Sequence, residues 1–296
     1  MRKPGVVPTA AAWLLMLALA GGTAFSLWVG GELVAARPAV IGASPADLHA
    51  EDIVIGSGDR TIRGWWMPGD SGKASVLLLH GIRANRLAMA SRARMLARHG
   101  YSVLLIDLPA HGESAGRAIT FGVNESHGVQ SARRWIGSRR PGKPVAAIGV
   151  SLGGAAVLLG PSPTGFDAVV LEAVYTDAHR ALQNRMRMRV GPAAPMLGKL
   201  LEWQLEPRLR ISLDQLRPID RIDAVGAPVM VIAGGRDRHT TPAESAELFA
   251  RARSPKEYWL LPQAAHQDFE RLAPLDYERE VISFLDRALP PPALTD

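Results

Sequence analysis

Apolar and polar positions alternate along this chain in a pattern that predicts strands and helices in turn. "DIVIGS" and "IRGWWMP" predict two paired strands joined by a turn at Gly58 and Asp59. Six further runs are short and almost wholly apolar, as is typical of buried parallel strands: "ASVLLLHG", "YSVLLIDLP", "KPVAAIGVS", "FDAVVLEAV", "APVMVIAGG" and "KEYWLLPQ". Helical spacing is found near 86–99, 123–138, 153–160, 242–252 and 268–289. This alternation predicts a doubly wound, mostly parallel sheet flanked by helices.

The N-terminal segment has a different pattern, since residues 10–29 contain no charge and follow Arg2 and Lys3. At 1.5 Å per residue, such a helix is long enough to cross a hydrocarbon core of ~30 Å. The preceding charges favour an N-terminus in the cytoplasm and the rest of the chain outside the cytoplasmic membrane. A cleavable signal peptide is the alternative, because "VAA" at 34–36 offers small residues at a cleavage site.

The composition of the chain excludes several kinds of site and partner. The 296 residues include no cysteine, which excludes disulfides, thiolate metal sites and a cysteine nucleophile. The net charge of +6 comes from scattered arginines, and no zinc-finger spacing or aromatic-basic RNA-binding signature is present. We therefore expect no nucleic-acid partner, whereas attraction to an anionic membrane surface is conceivable.

The stretch "AAIGVSLGGAAV" at 146–157 can be interpreted in two ways. As a dinucleotide-binding turn it lacks the middle glycine, because Ser151 stands where the backbone must approach a pyrophosphate. As a strand-to-helix corner with glycines at 149 and 153, it would expose Ser151 as a nucleophile. The second interpretation also explains the polar residues that follow later strands, and we adopt it.

A serine nucleophile needs a base and a carboxylate that orients the base. Asp237 follows the apolar strand "APVMVIAGG", and His266 follows the last strand. The chain order Ser151, Asp237, His266 is the one expected when such a turn carries the nucleophile, and all three would meet at the carboxyl edge of the sheet. Glu172 is an alternative acid, although a structural role holding the insertion that follows it is favoured.

Five motifs together resemble the α/β-hydrolase superfamily over residues 50–289: "LLLHGIRANR", "DLPAHGES", "GVSLGG", "AGGRDRHTTP" and "AAHQDF". The resemblance implies an α/β-hydrolase fold with a mostly parallel eight-stranded sheet, a short lid insertion and, here, an N-terminal apolar helix. It also implies an oxyanion hole formed by the backbone N–H groups of Ile82 and Leu152. It implies no metal and no organic cofactor.

Other polar residues near these motifs have simpler interpretations. We expect Asp107 to order the "DLPAHGES" loop, His80 and His111 to be structural, and His239 to be a surface residue. The arginines at 185, 187 and 189 would contact anionic head groups if the insertion faces a membrane.

The sequence thus predicts a segment 1–36 that is a transmembrane anchor or a signal, a linker 37–50, a hydrolase domain 51–289 with a lid at about 174–217, and a tail 290–296. The predicted activity is a serine hydrolase of carboxylic esters, carboxylesterase-like or lysophospholipase-like, acting on a small-molecule or lipid ester. A peptidase or a thioesterase on the same triad is the enzymatic alternative, and a membrane-tethered binding domain is the non-enzymatic one. The expected location is the cytoplasmic membrane with the domain outside, or export after signal cleavage.

Overall fold

The structure is a computed structural model that describes residues 9–266 and 269–289. Its strands are β1 (Arg37–Pro38), β2 (Glu51–Ile55), β3 (Ile62–Met67), β4 (Ser75–Leu79), β5 (Ser102–Ile106), β6 (His111–Gly112), β7 (Val145–Val150), β8 (Ala168–Glu172), β9 (Val229–Gly234) and β10 (Lys256–Leu261). Its helices are α1 (Ala10–Val34), α2 (Ala90–Arg98), α3 (Val123–Arg139), α4 (Leu152–Leu158), α5 (Ala178–Val190), α6 (Ala194–Leu209), α7 (Pro242–Arg251), α8 (Phe269–Leu272) and α9 (Pro274–Ala288).

Eight strands form one sheet in the order β10-β9-β8-β7-β4-β5-β3-β2. β3 is antiparallel to both β2 and β5, and the other pairs are parallel. The sheet is covered on both faces, because Leu77 and Leu79 of β4 enter one apolar cluster while Val76 and Leu78 enter the other. This double burial explains the continuous apolar runs, and the predicted mostly parallel eight-stranded sheet is confirmed.

The predicted C-terminal helix is divided in two. α8 ends at Leu272 and α9 begins at Pro274, with Ala273 between them at φ −139° and ψ 65°. Proline has no N–H to continue a helix and disfavours helical geometry in the residue before it, so a single helix over 268–289 was the wrong prediction. Its first residue, 268, and the predicted tail 290–296 lie outside the described residues.

The N-terminal helix α1 is exposed along most of its length and joins the domain only in its last turns. Over the described residues, it is the one helix long and apolar enough to cross a membrane by length and composition. Near its end Gly30 and Val34 are buried, and Ile119 N donates to Val34 O at 2.8 Å. β1 follows directly and pairs with β6, so the segment predicted as a linker begins with strand pairing.

The insertion after β8 folds mainly into the two helices α5 and α6, which pack on each other and on the end of α1. Gln204 Nε2 donates to Ser26 Oγ at 2.8 Å, and Arg208 Nη2 donates to Leu27 O at 2.8 Å. An apolar cluster joins the same three helices through Val34, Leu182, Leu201, Leu205 and Leu209. The end of α1 and the insertion therefore form one packed unit at the carboxyl edge of the sheet.

Candidate active site

Ser151 occupies the corner between β7 and α4 in a conformation rare for a residue with a side chain. Its φ is +49° and its ψ is −106°. Its N–H donates to Glu172 O at 2.7 Å, and its carbonyl accepts from Ala155 N at 3.0 Å. Neighbouring backbone therefore fixes both sides of the strained residue, as active-site corners require.

The glycines around Ser151 allow three segments of backbone to approach closely. A Cβ at Gly149 would lie 2.4 Å from Gly154 N, and one at Gly153 would lie 2.4 Å from Leu79 O. Real side chains do not tolerate such distances, so α4 could not lie against β4 and β7 with alanine at these positions. The predicted role of these glycines in shaping the corner is confirmed.

The loop after β4 lies beside Ser151. A Cβ at Gly81 would be 3.8 Å from Ser151 Cβ, and the next residue, Ile82, lines the same cavity as Ser151 and Leu152. Leu152 is the first residue of α4, where amides have no acceptor within the helix. In the described part of the chain, the N–H groups of Ile82 and Leu152 donate to no other residue. Two unused donors thus flank the serine where the sequence predicted an oxyanion hole.

Asp237 and His266 lie in the loops after β9 and β10 and are in direct contact. His266 Nδ1 is 2.7 Å from Asp237 Oδ2, which also accepts from Thr240 Oγ1 at 2.7 Å. The backbone N–H groups of His239 and Thr240 donate to Asp237 Oδ1 at 2.7 and 3.0 Å. Burial raises the pKa of Asp237, but these hydrogen bonds and the His266 charge outweigh it and hold the pKa below its ordinary value. The carboxylate is therefore fixed in its ionised form.

Ser151 and His266 both follow strands at the carboxyl edge of the sheet. No hydrogen bond joins the two side chains in the described structure. His239 lies beside them: its ring is 4.7 Å from the His266 ring, centroid to centroid, and it lines the cavity with Ser151. The prediction of a surface histidine at 239 was wrong, because the loop wraps the Asp237 carboxylate and turns this ring inward. Burial, followed by the charges of His266 and Arg185, lowers the pKa of His239 and favours the neutral ring.

Glu172, the alternative acid, is used elsewhere. Arg92 of α2 donates to its two oxygens at 3.1 and 2.7 Å, and Tyr277 of α9 donates to Oε1 at 2.6 Å. All three side chains are almost fully buried. A structural role for Glu172 is thus present, but it joins α2 and α9 to the sheet and does not hold the insertion.

The remaining polar residues order the loops around the site. Asp107 accepts from Arg86 N at 2.8 Å and from Glu113 N at 2.9 Å, and it pairs with the Arg86 side chain. His80 is wholly buried, with Nδ1 2.7 Å from Gly81 O and Nε2 3.0 Å from Leu108 N. Desolvation lowers the pKa of His80 to about 3. Neither Asp107 nor His80 is left available for chemistry.

A cavity of about 560 Å³ lies in front of Ser151. Its walls come from the loop after β4, from the insertion and from the last turns of α1, including Trp28, Val29, Glu32 and Leu33. No local signal in the sequence indicated the contribution of α1, which only long-range packing determines.

A second cavity of about 340 Å³ lies around Val229 and Pro255 at the amino ends of β9 and β10, at the opposite strand ends from Ser151. Within residues 9–266 and 269–289, no group of three or more His, Asp or Glu side chains is placed to hold a metal ion.

Comparisons with known proteins agree with this architecture. The profile of the alpha/beta hydrolase family matches residues 76–283. The uncharacterized protein Rv2307c of Mycobacterium tuberculosis is 32% identical over 229 residues, which cover 75% of this chain and 74% of the relative. The uncharacterized protein YfhR of Escherichia coli is 26% identical over 260 residues, 83% and 84% of the two chains. Among solved structures, the esterase Pf2001 of Pyrococcus furiosus superposes with a TM-score of 0.71 at 24% identity, over 86% of this chain and 98% of its own.

The mostly parallel sheet covered by helices on both faces defines an α/β protein with the α/β-hydrolase fold. The chain belongs to the alpha/beta hydrolase family.

The buried His80 makes stability depend on pH. Its folded pKa of about 3 lies below the unfolded value of 6.5. His80 therefore contributes no pH dependence well above pH 6.5. Below that pH it lowers the free energy of unfolding, with a contribution that approaches about 1.4 kcal/mol per pH unit. We expect urea unfolding at pH 7.0, 6.0 and 5.0 to show a free energy of unfolding that falls with pH, more steeply between 6.0 and 5.0, and His80→Gln to reduce this slope. His127→Gln, at an exposed position on α3, should leave the slope unchanged; equal slopes for wild type and His80→Gln would contradict the assignment.

Proposed function

We propose that this protein is a serine hydrolase of carboxylic esters, with Ser151 as nucleophile, His266 as general base and Asp237 as the residue that orients His266. The observation that carries the proposal is the strained corner at Ser151, which faces a cavity beside an ionised Asp237 bonded to His266. The structurally similar protein Pf2001 of Pyrococcus furiosus is an esterase, which agrees with this choice.

The chemistry follows from these positions. The Ser151 hydroxyl attacks the ester carbonyl while His266 Nε2 takes its proton, and the oxyanion accepts hydrogen bonds from Ile82 N and Leu152 N. His266 then gives the proton to the departing alcohol, and water cleaves the acyl-enzyme by the same steps. The missing Ser151–His266 hydrogen bond forms as substrate binds, because catalytic hydrogen bonds often tighten only in the complex.

Asp237 is preferred over Glu172 as the acid because its hydrogen bonds point to the histidine. Glu172 is fully engaged by Arg92 and Tyr277, and moving it to His266 would leave the buried Arg92 without this carboxylate. Asp237 instead favours the His266 tautomer with a proton on Nδ1, which leaves Nε2 unprotonated and able to act as the base.

An ester with an apolar acyl chain is preferred over a peptide because the cavity wall is largely apolar. A thioester with the same acyl chain would suit the same wall, and the ester is chosen because the structurally similar Pf2001 is an esterase. Side chains such as Phe121, Leu182 and Leu205 line the cavity and suit an apolar acyl chain. A binding domain without catalysis is disfavoured, since each residue that the reaction needs is present.

Substitutions at the three candidate positions test the mechanism. Ser151→Ala and Asp237→Asn should lower kcat for p-nitrophenyl butyrate by about 10³-fold or more, because they remove the nucleophile and the correct histidine tautomer. Glu172→Gln, a matched carboxylate-to-amide change, should cost much less activity per folded molecule, and circular dichroism would confirm folding. A larger loss in Glu172→Gln than in Asp237→Asn would reverse the assignment of the acid.

We also propose that α1 stays attached as a transmembrane anchor, with the hydrolase domain outside the cytoplasmic membrane. Support comes from its last turns, which form part of the cavity wall and pack on Leu182, Leu201 and Leu205. Cleavage after Ala36 would remove Val34 and expose those three leucines, so export as a shortened protein is disfavoured.

Membrane fractionation and intact-mass measurement test the anchor. The protein should stay in the membrane pellet after high-salt and carbonate washes, dissolve in detergent, and have a mass that includes residues 10–34. External protease should digest the domain in spheroplasts. Recovery of a soluble protein that begins at Arg37 would refute the anchor and favour a cleaved signal.

A further inference from the structure

The cavity in front of Ser151 holds an excess of positive charge. Its charged lining consists of Arg83, Arg185 and Arg189 against the single carboxylate Glu32. Arg83 directly follows the oxyanion-loop residue Ile82, and the other two arginines lie one turn apart on α5. All three arginines therefore line the same cavity as Ser151.

None of these three arginines is neutralised by a carboxylate in the described part of the chain. Arg83 Nη2 donates to the backbone carbonyl of Glu32 at 2.8 Å, and Arg185 Nη1 donates to Ala181 O at 2.9 Å. The Glu32 carboxylate is already paired with Arg37 at 2.8 Å.

The other carboxylates near the cavity are engaged as well. Asp237 accepts from His266 and Thr240, and Glu244 accepts from Asn184 and from the backbone of Thr241. Neither is paired with one of the three cavity arginines, which therefore retain their hydrogen-bonding capacity for a bound molecule.

The half-buried Arg185 is the most constrained of the three. Desolvation is the main cause that lowers its pKa and outweighs the attraction of the Asp237 carboxylate, while the nearby Arg83 adds to the lowering. Partly burying a guanidinium without a directly paired carboxylate is unfavourable, and an anion bound in the cavity would reduce this cost. The planar guanidinium is suited to bidentate binding of phosphate or carboxylate oxygens.

The rest of the lining is mostly apolar, with contributions from α1, α5, α6 and the loop before α3: Trp28, Leu33, Phe121, Leu182, Leu201 and Leu205. A molecule that satisfies both parts has an apolar chain and an anionic group separated by the bond that Ser151 attacks.

We propose that Arg83, Arg185 and Arg189 form an anion-binding subsite of the active-site cavity, and that the substrate is an amphiphilic ester with a phosphate or carboxylate near the scissile bond. This inference rests on the proposed esterase function and specifies its substrate class. Arg187, on the same helix but exposed and outside the cavity lining, is not part of the subsite.

Three esters with the same acyl chain test the subsite: 1-hexanoylglycerol, its 3-phosphate, and 3-hexanoylglycerate. All are used below the concentrations at which they aggregate, with detergent-solubilised full-length protein. The phosphate ester, the carboxylate ester or both should have a kcat/KM at least about tenfold above that of the neutral ester, since a hydrogen bond to a charged group is typically worth a factor of ten or more. Comparing kcat/KM between the phosphate ester and the carboxylate ester shows which of the two anionic groups the subsite prefers.

Arg185→Gln should reduce this anion-to-neutral ratio about tenfold, whereas the control Arg187→Gln should leave it unchanged. An unchanged ratio in Arg185→Gln, or equal losses in both variants, would overturn the subsite in favour of a general surface charge. Hydrolysis of the neutral ester that depends on Ser151 would meanwhile still support the esterase.

A binding measurement tests the subsite without turnover. Ser151→Ala should bind hexyl phosphate or hexanoate more tightly than hexanol in calorimetry, and the added substitution Arg185→Gln should abolish the difference. Equal affinity for all three compounds would overturn the subsite whether or not the protein proves to be an esterase. Failure of all three esters to react, together with anion binding that depends on Arg185, would reject the esterase and retain the subsite.

Discussion

The left-handed backbone at Ser151 is the constraint on which the rest of the site depends. A residue with a Cβ adopts this conformation only when its surroundings leave no alternative. Here close packing of the backbone excludes other conformations, since β4, β7 and α4 meet at Gly149 and Gly153 with no room for a Cβ. The corner places the serine beside two unused backbone donors, at Ile82 and Leu152, and in front of the cavity.

Two buried carboxylates at the ends of neighbouring strands have different hydrogen-bond partners. One carboxylate therefore has a structural role, and the other belongs to the proposed active site. Glu172 at the end of β8 binds Arg92 and Tyr277, and thereby connects α2 and α9 to the sheet. Asp237, in the loop after β9, binds His266, whose ring lies against the cavity-lining His239. The strand order places both near Ser151, and only the direction of their hydrogen bonds distinguishes them.

Much of the fold could be predicted because burial on both faces leaves a simple signal in the sequence. The strands are continuous apolar runs, and the polar residues that follow them, such as Ser151, Asp237 and His266, locate the carboxyl edge. The division of the last helix at Pro274 was missed although proline carries a local signal for it. The inward position of His239 and the contribution of α1 to the cavity had no local signal, because both depend on packing between distant segments.

The central claim is that Ser151 carries the acyl group during turnover. The most direct measurement is acid quenching of the wild-type protein during hydrolysis of p-nitrophenyl butyrate, followed by peptide mass mapping. We expect a butyryl adduct on Ser151 that disappears when substrate is exhausted. A butyryl adduct on another residue, or hydrolysis with no adduct at Ser151 despite a burst of nitrophenol, would contradict it.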